Sequence, residues 1–285
     1  LFALPPRTAR DLSLATLGAL GAVWPGRLLI DLLGHMRPAD GLAVTVAGLV
    51  FPSRMGLGCG LDPGLRATSA LARFGCGFVE VGPIAGAPRP DDWLERDGQS
   101  DFLVGPDPPG GIGVAGAVAR LARVHGSGAV ILARLDTSDV RDPDVARAEF
   151  AAAITARAPH VAGFTVSGGH ASWTPDAWRG VIGGLLGSAR ASARPSFLVV
   201  PPGGCPAGRR LADLRGCDGF VVDGSAPCGE GRRIMGRRLR ADALATVRAI
   251  REACGPSVPI LASAGIHEPS GRARCDRRRR RPGRD

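Results

Sequence analysis

Three groups of residues in this 285-residue sequence have the types and spacing to do chemistry. The first is the run VAGLVFPSRMGLGCGLDPG at 46–64, in which Gly56, Gly58 and Gly60 flank Cys59 at the end of a short apolar stretch. Glycines there let a flat ligand or a neighbouring backbone approach where a Cβ would block it. The second is TVSGGH at 165–170, which sets the Ser167 hydroxyl and the His170 imidazole, a candidate general base, at a strand end. The third is RRIMG at 232–236, where Arg232 and Arg233 could hold a phosphate ahead of Gly236. Each also has a plainer reading: a tightly packed glycine strand, a packed or solvated histidine, and arginines paired with carboxylates. Asp62 and Glu80 lie near strand ends and suit such structural ion pairs.

What is missing narrows the chemistry further. The chain has no Lys, no Asn and no Tyr, so all 36 basic residues are Arg. No step can use a lysine amine, an asparagine amide or a tyrosine phenol. The seven cysteines (59, 76, 205, 217, 228, 254 and 275) form no CxxC and no Cys/His cluster at metal-ligand spacing. They fit reduced, mostly buried thiols in a cytoplasmic setting, and no metal site is expected. His35, His125, His160 and His267 have no carboxylate or Cys partner at useful spacing, and the Gly-Gly pairs lack a GxGxxG or Walker pattern. Of the net charge of +10, the segment 271–285 carries +6, from eight arginines against two aspartates. The rest is mildly basic, and nucleic-acid binding is not expected.

The elements that must position these groups follow from periodicity. Two apolar helices are expected over about 9–23 and 27–36, broken by Trp24-Pro25-Gly26. They pack on the body or lie on a membrane surface, and neither approaches the roughly 20 residues that span a bilayer. Near-continuous apolar strands are expected in 46–60, with MGLGCG as the first barrel strand, and at 77–81, 129–135, 163–167, 197–200, 219–223 and 259–263. Helical patterns alternate with them at 65–74, 114–124, 144–157, 176–190, 207–215 and 241–254. That alternation predicts an α/β fold with a parallel sheet buried on both faces, a (β/α)8 barrel lacking its last β/α unit, with an open doubly wound sheet as the alternative. Segment 83–111, rich in Pro, Gly and Asp, is expected to be a long functional or mobile loop. The division is a helical extension over 1–40, a barrel over 41–270 and an Arg-rich tail over 271–285, either solvated or the product of a shifted reading frame.

Several blocks then resemble a known family. LPPRTARDLSLATLGALG near the start, the 46–64 run, GCGFVEVG at 75–82 and PILASAGI at 259–266 are similar to the class 2, quinone-linked dihydroorotate dehydrogenases. The resemblance extends over about 4–269. It implies FMN under the strand ends, dihydroorotate stacked on it, and an N-terminal helical pair giving quinone a route from the membrane, with peripheral contact through 8–36 on the inner face of the cytoplasmic membrane. A base would take the C5 proton of dihydroorotate while hydride leaves C6 for flavin N5.

Carried over by position, the resemblance puts Gly58, Cys59 and Gly60 on the flavin floor and Gly236 and Gly265 beside the cofactor. It puts Pro63 where the family has lysine, GPDPPGG at 105–111 where the family's Asn-rich substrate loop lies, and Gly168 at the catalytic serine, with Ser167 beside it. The flavin-edge lysine falls on Val200 and the Asn-Thr-Thr strand end on Asp223. Removing one preorganised donor typically costs about 10²–10³ in rate. Two expectations therefore stand: an FMN-dependent dihydroorotate dehydrogenase of pyrimidine synthesis, or a barrel relative that has lost catalysis and serves as a binding protein or a relic.

Overall fold

A computed structural model describes residues 4–34, 38–39, 41–91, 93–96, 102–124, 128–204 and 216–264. Two helices, α1 (Pro6–Ala22) and α2 (Trp24–Gly34), precede a hairpin of β1 (Val44–Val46) and β2 (Leu49–Phe51). The repeating unit then runs through β3 (Gly56–Leu57), α3 (Thr68–Leu71), β4 (Phe78–Ala85), β5 (Glu95–Arg96), β6 (Phe102–Pro106), β7 (Ile112–Gly113) and α4 (Val114–Leu121). It continues with β8 (Val130–Asp136), α5 (Pro143–Arg157), β9 (Gly163–Ser167), α6 (Pro175–Ala191), β10 (Ser196–Val200), β11 (Gly219–Val222), β12 (Ser225–Gly229), β13 (Arg232–Gly236), α7 (Arg240–Cys254) and β14 (Ile260–Ala262). The helix expected at 207–215 and the Arg-rich tail lie outside the described residues.

Strands β3, β4, β8, β9, β10, β11 and β14 pair in parallel, in chain order, as one curled sheet with helices outside. This is a (β/α) barrel of the expected type, with seven strands in its path among the described residues. The two ends of the curl meet without a ladder: a Cβ at Gly58 would lie 3.6 Å from Ser263 Cβ. The helices start where the sequence supplies caps. Asp142 accepts from the Asp144 and Val145 amides ahead of Pro143, and Thr174 from the Ala177 amide ahead of Pro175.

Alternation along the strands sorts the interior into layers. Phe78, Leu132, Phe197 and Val221 face inward as an apolar layer, plugged from the strand-start end by Phe51, whose ring meets Phe78 edge-on at 5.7 Å. One step on, the same faces carry Glu80, Arg134, Thr165 and Asp223, all buried. Side chains of the other parity, such as Ile131, Phe164 and Val166, join the outer core under the helices.

Three expectations are corrected. The VAGLV run is no single strand. Ala47 and Gly48 take φ of 50° and 78°, so the chain reverses there into the β1–β2 hairpin. The helix at 65–74 is reduced to Thr68–Leu71. The described residues of segment 83–111 are no free loop: β5 and β6 join β13 and β12 in a four-stranded antiparallel sheet, and Arg89 bridges Gly111.

Helix α1 packs on the body, with Leu14 against Ala67 and Leu71. Asp31 of α2 pairs with Arg73 at 2.6 Å. On α2 only Ile30 is a buried large apolar side chain, while Trp24, Leu28, Leu29, Leu32 and Leu33 are exposed, Leu33 by 71%. Among the described residues no single helix is long and apolar enough to cross a membrane, and α1 and α2 meet at a bend of 111°.

Arg157, at the end of α5, is wholly buried. Its Nη1 donates to the Ala153 carbonyl at 2.8 Å and its Nη2 to the Val114 carbonyl, while Nε has no partner. Burial pulls its pKa down to about 10. The unfolded chain therefore holds this proton more tightly than the folded one, so stability rises with pH through the window above about 10. At neutral pH the cost of burying the cation is fully present. Arg157→Met is expected to leave stability unchanged or raise it by up to about 2 kcal/mol in urea unfolding at pH 7; a clear loss would show that the two carbonyl contacts outweigh desolvation.

Candidate active site

Chemistry on this fold belongs at the C-terminal ends of the strands, and there the described residues form a closed ion cluster. Arg134 on β8 donates from Nε to Glu80 Oε1 and from Nη2 to Glu80 Oε2, both at 2.9 Å, and from Nη1 to Asp223 Oδ1 at 2.8 Å. Glu80 also accepts from Thr165 Oγ1 at 2.6 Å and from the Cys59 amide at 3.0 Å. Asp223 continues to Arg233 Nη2 at 3.4 Å, and Arg233 donates further to Asp107 Oδ1 at 2.9 Å and Ser225 Oγ at 2.8 Å. Beside this, Arg89 pairs with Asp136 at 2.7 Å and Ser138 at 3.0 Å.

The electrostatics follow from burial. For Asp223, burial is the largest influence and pushes the carboxyl up, but Arg134 and then Arg233, with hydrogen bonds from Arg134 and the Gly224 amide, hold it below its ordinary value. Burial alone would weaken the Arg134 proton; Asp223 and Glu80 override it and raise the pKa well above the usual guanidinium value. Burial holds the Cys59 thiol well above its ordinary pKa despite nearby Arg134. It is an un-ionised thiol, not a nucleophile.

The residues singled out in the sequence fall unevenly around this cluster. Gly58, Cys59 and Gly60 do line the strand-end floor: a Cβ at Gly60 would meet open space, whereas one at Gly58 would touch Ser263. Ser167 Oγ donates to the Leu135 carbonyl at 3.2 Å. His170 Nδ1 is 2.7 Å from Ser172 Oγ in an exposed turn, a local contact that holds the imidazole outside the cluster. Gly168 has φ of 91°. Arg232–Gly236 forms strand β13; Arg233 is taken by Asp107 and Asp223, and Arg232 lies over Trp93 at 5.8 Å and 3.6 Å from Glu95. Gly236, with φ of 132°, ends that strand. Gly265 lies outside the described residues. Among the described residues Asp62 pairs with no arginine side chain; its oxygens accept from the Arg66 and Ala67 amides and the Thr68 hydroxyl. Glu80 does pair with one, Arg134.

The pairing register also corrects one carry-over. Val199 belongs to the interior cluster, whereas Val200 is packed in the outer core. The inward position on β10 is therefore Val199, and it too offers no cation. Arg134 was the residue missed; its signal is an arginine inside the apolar run VILARLD, where a buried charge requires a partner.

Comparison with known proteins agrees with this fold. A "Dihydroorotate dehydrogenase (quinone)" of Azotobacter vinelandii is 29% identical along 94% of this chain and 84% of its own length. One of the same description from Aromatoleum aromaticum is 43% identical over 90 residues, 32% of this chain and 23% of that protein. The chain is similar to the quinone-linked dihydroorotate dehydrogenases along most of its length. No family model matches it. Among solved structures, the dihydroorotate dehydrogenase of Eimeria tenella is similar in fold, ligand-free and in complex with ferulenol. Both have a TM-score of 0.70 and cover 88% of this chain, at 18% and 17% identity and 86% and 82% of their own lengths.

Set against the needs of FMN, the described residues of the strand-end ion cluster do not fit. The electron-rich edge of a flavin needs an uncommitted donor or cation, yet Nε, Nη1 and Nη2 of Arg134 each already meet a carboxylate, and Arg233 is likewise committed. The interior position of β10 is a valine. A polar cavity of about 390 Å³ opens between α1 and the strand ends, lined by Arg10, Asp62, Pro63, Arg89 and Asp91 among others. In it, Arg10 Nε and Arg89 Nε are buried without partners, and Asp91 Oδ2 lies 2.5 Å from Arg10 Nη2 without hydrogen-bond alignment.

Proposed function

We propose that this chain is a dihydroorotate dehydrogenase-like protein whose ancestral reaction is the FMN-dependent oxidation of dihydroorotate to orotate with quinone as acceptor, and that its own strand ends have lost that turnover. The observation that carries the second half is the Glu80–Arg134–Asp223 cluster. It satisfies its own charges in the layer where a flavin would need open donors. Gly168 removes the family's serine hydroxyl at that position, and the un-ionised Cys59 thiol does not replace it as a base for the C5 proton of dihydroorotate. The helical pair keeps its apolar face, and the exposed Trp24, Leu28, Leu29, Leu32 and Leu33 suit peripheral contact with a lipid surface.

The sequence likeness to the bacterial relatives along 94% of the chain favours the second reading, an active quinone-linked enzyme. Purification separates the two. Colourless protein that neither takes up added FMN nor reduces a quinone analogue with dihydroorotate is expected. A stoichiometric flavin spectrum bleached by dihydroorotate would overturn the proposal in favour of the enzyme.

A further inference from the structure

A second cleft, of about 520 Å³, lies between α1, the segment 65–70 and the end of α4. Four arginines line it, Arg27, Arg66, Arg120 and Arg123, and no carboxylate does. Elsewhere in this protein arginines are spent on carboxylates, as at Arg134, Arg89, Arg233 and Arg73. Here the side chains of Arg27, Arg66 and Arg123 have no hydrogen bond or ion pair among the described residues, and Arg120 donates through Nη1 to the Gly64 carbonyl. Arg66 and Arg120 also come together on the rim this cleft shares with the first cavity: a Cβ built on Gly64, which lines that cavity, would lie 3.2 Å from Arg66 Nε and 3.6 Å from Arg120 Nη1. Asp62 does not neutralise them, because its oxygens are turned to main-chain amides and to Thr68. On the same wall, Ser69 Oγ is buried without a partner.

Like charges lining one cleft beside an unpaired hydroxyl, with no carboxylate in that lining, call for an anion that accepts several donors at once. We propose that this cleft is a phosphate-binding site, in which Arg66 and Arg120 grip the phosphate oxygens, Arg27 and Arg123 flank it, and Ser69 donates from the floor. The phosphate is either free or part of a phospholipid headgroup. Arg27 belongs to α2, whose apolar face is exposed on the same helix, which suits a headgroup. The site stands whether or not the barrel turns over, and it shares only its lipid arm with the membrane reading of α2.

The test is calorimetric titration of this 285-residue chain with inorganic phosphate, with dihexanoyl-phosphatidylglycerol below its micelle concentration, and with the zwitterionic choline lipid. Saturable binding of phosphate, or of phosphatidylglycerol in preference to the choline lipid, is expected; the first outcome identifies a free-phosphate site and the second a headgroup site. Arg66→Ala with Arg123→Ala should weaken that binding at least about tenfold, the lower end of what a charged hydrogen bond contributes. Both side chains belong to exposed residues, so the variant should melt as the parent does; Arg123→Gln alone repeats the test should it not fold. Arg147→Ala with Arg179→Ala, on the exposed sides of α5 and α6, removes the same charge elsewhere. Absent binding, binding unchanged by the cleft variants, or an equal loss in this control would overturn the site.

Discussion

Arg134→Leu is expected to destabilise the protein by about 3–5 kcal/mol, because it leaves Glu80 and Asp223 buried without their cation. The effect comes from the orphaned partners more than from the pair itself. Replacing Arg134, Glu80 and Asp223 together by apolar residues of similar volume should therefore recover most of the loss. The pH dependence has a defined sign. Asp223 is held below its ordinary pKa, so its contribution is fully present above the usual carboxylate range and is lost as pH falls through the depressed value. Arg134 is the largest influence pulling it down. In Arg134→Leu that contribution disappears, and the acid limb of the stability profile should begin at higher pH. Urea unfolding at pH 7 and melts across the acid range measure both; a parent-like midpoint would mean that the cluster is not closed in solution.

Gly168→Ser, which restores the family's residue type at that position, should cost about 2–5 kcal/mol and return no activity. Gly168 has φ of 91°, a conformation that L side chains rarely adopt. Its Cβ would lie 2.4 Å from Asp136 Oδ1 and 2.9 Å from the Ser138 nitrogen. Asp136 has little freedom to withdraw, since Arg89 holds its other oxygen at 2.7 Å. Gly168→Ala should be as costly, because the clash belongs to Cβ and not to the hydroxyl. A serine variant as stable as the parent and able to oxidise dihydroorotate would refute both this account and the proposed loss of turnover.

The barrel was legible because its signals are local. Strand β9 falls on the expected residues, and β4, β8, β10, β11 and β14 differ from expectation by a few residues at their ends. The failures have two causes, a weak local signal and dependence on distant partners. The hairpin turn at Ala47-Gly48 hides in an apolar run because alanine gives no turn signal. Strands β5 and β6 are set by β13, more than a hundred residues on, which composition cannot reveal. Arg134 takes partners 54 and 89 residues away, so its role follows only once the sheet has brought β4 and β11 to it. The shift from Val200 to Val199 is a matter of one residue, and one residue is enough to turn a side chain from the interior to the helices.

The order of the sheet bears on how the chain assembles. Each strand of the curl from β3 to β14 neighbours the parallel strand before it in sequence, so every β/α unit can dock on a surface already made as synthesis proceeds. The antiparallel sheet breaks that rule. β5 and β6 wait for β12 and β13, and Arg233 then reaches Asp107 across 126 residues. Closing so long a loop comes late and slowly. The last step of folding is therefore expected to be the latching of this sheet over the strand ends, after the seven-stranded curl has formed.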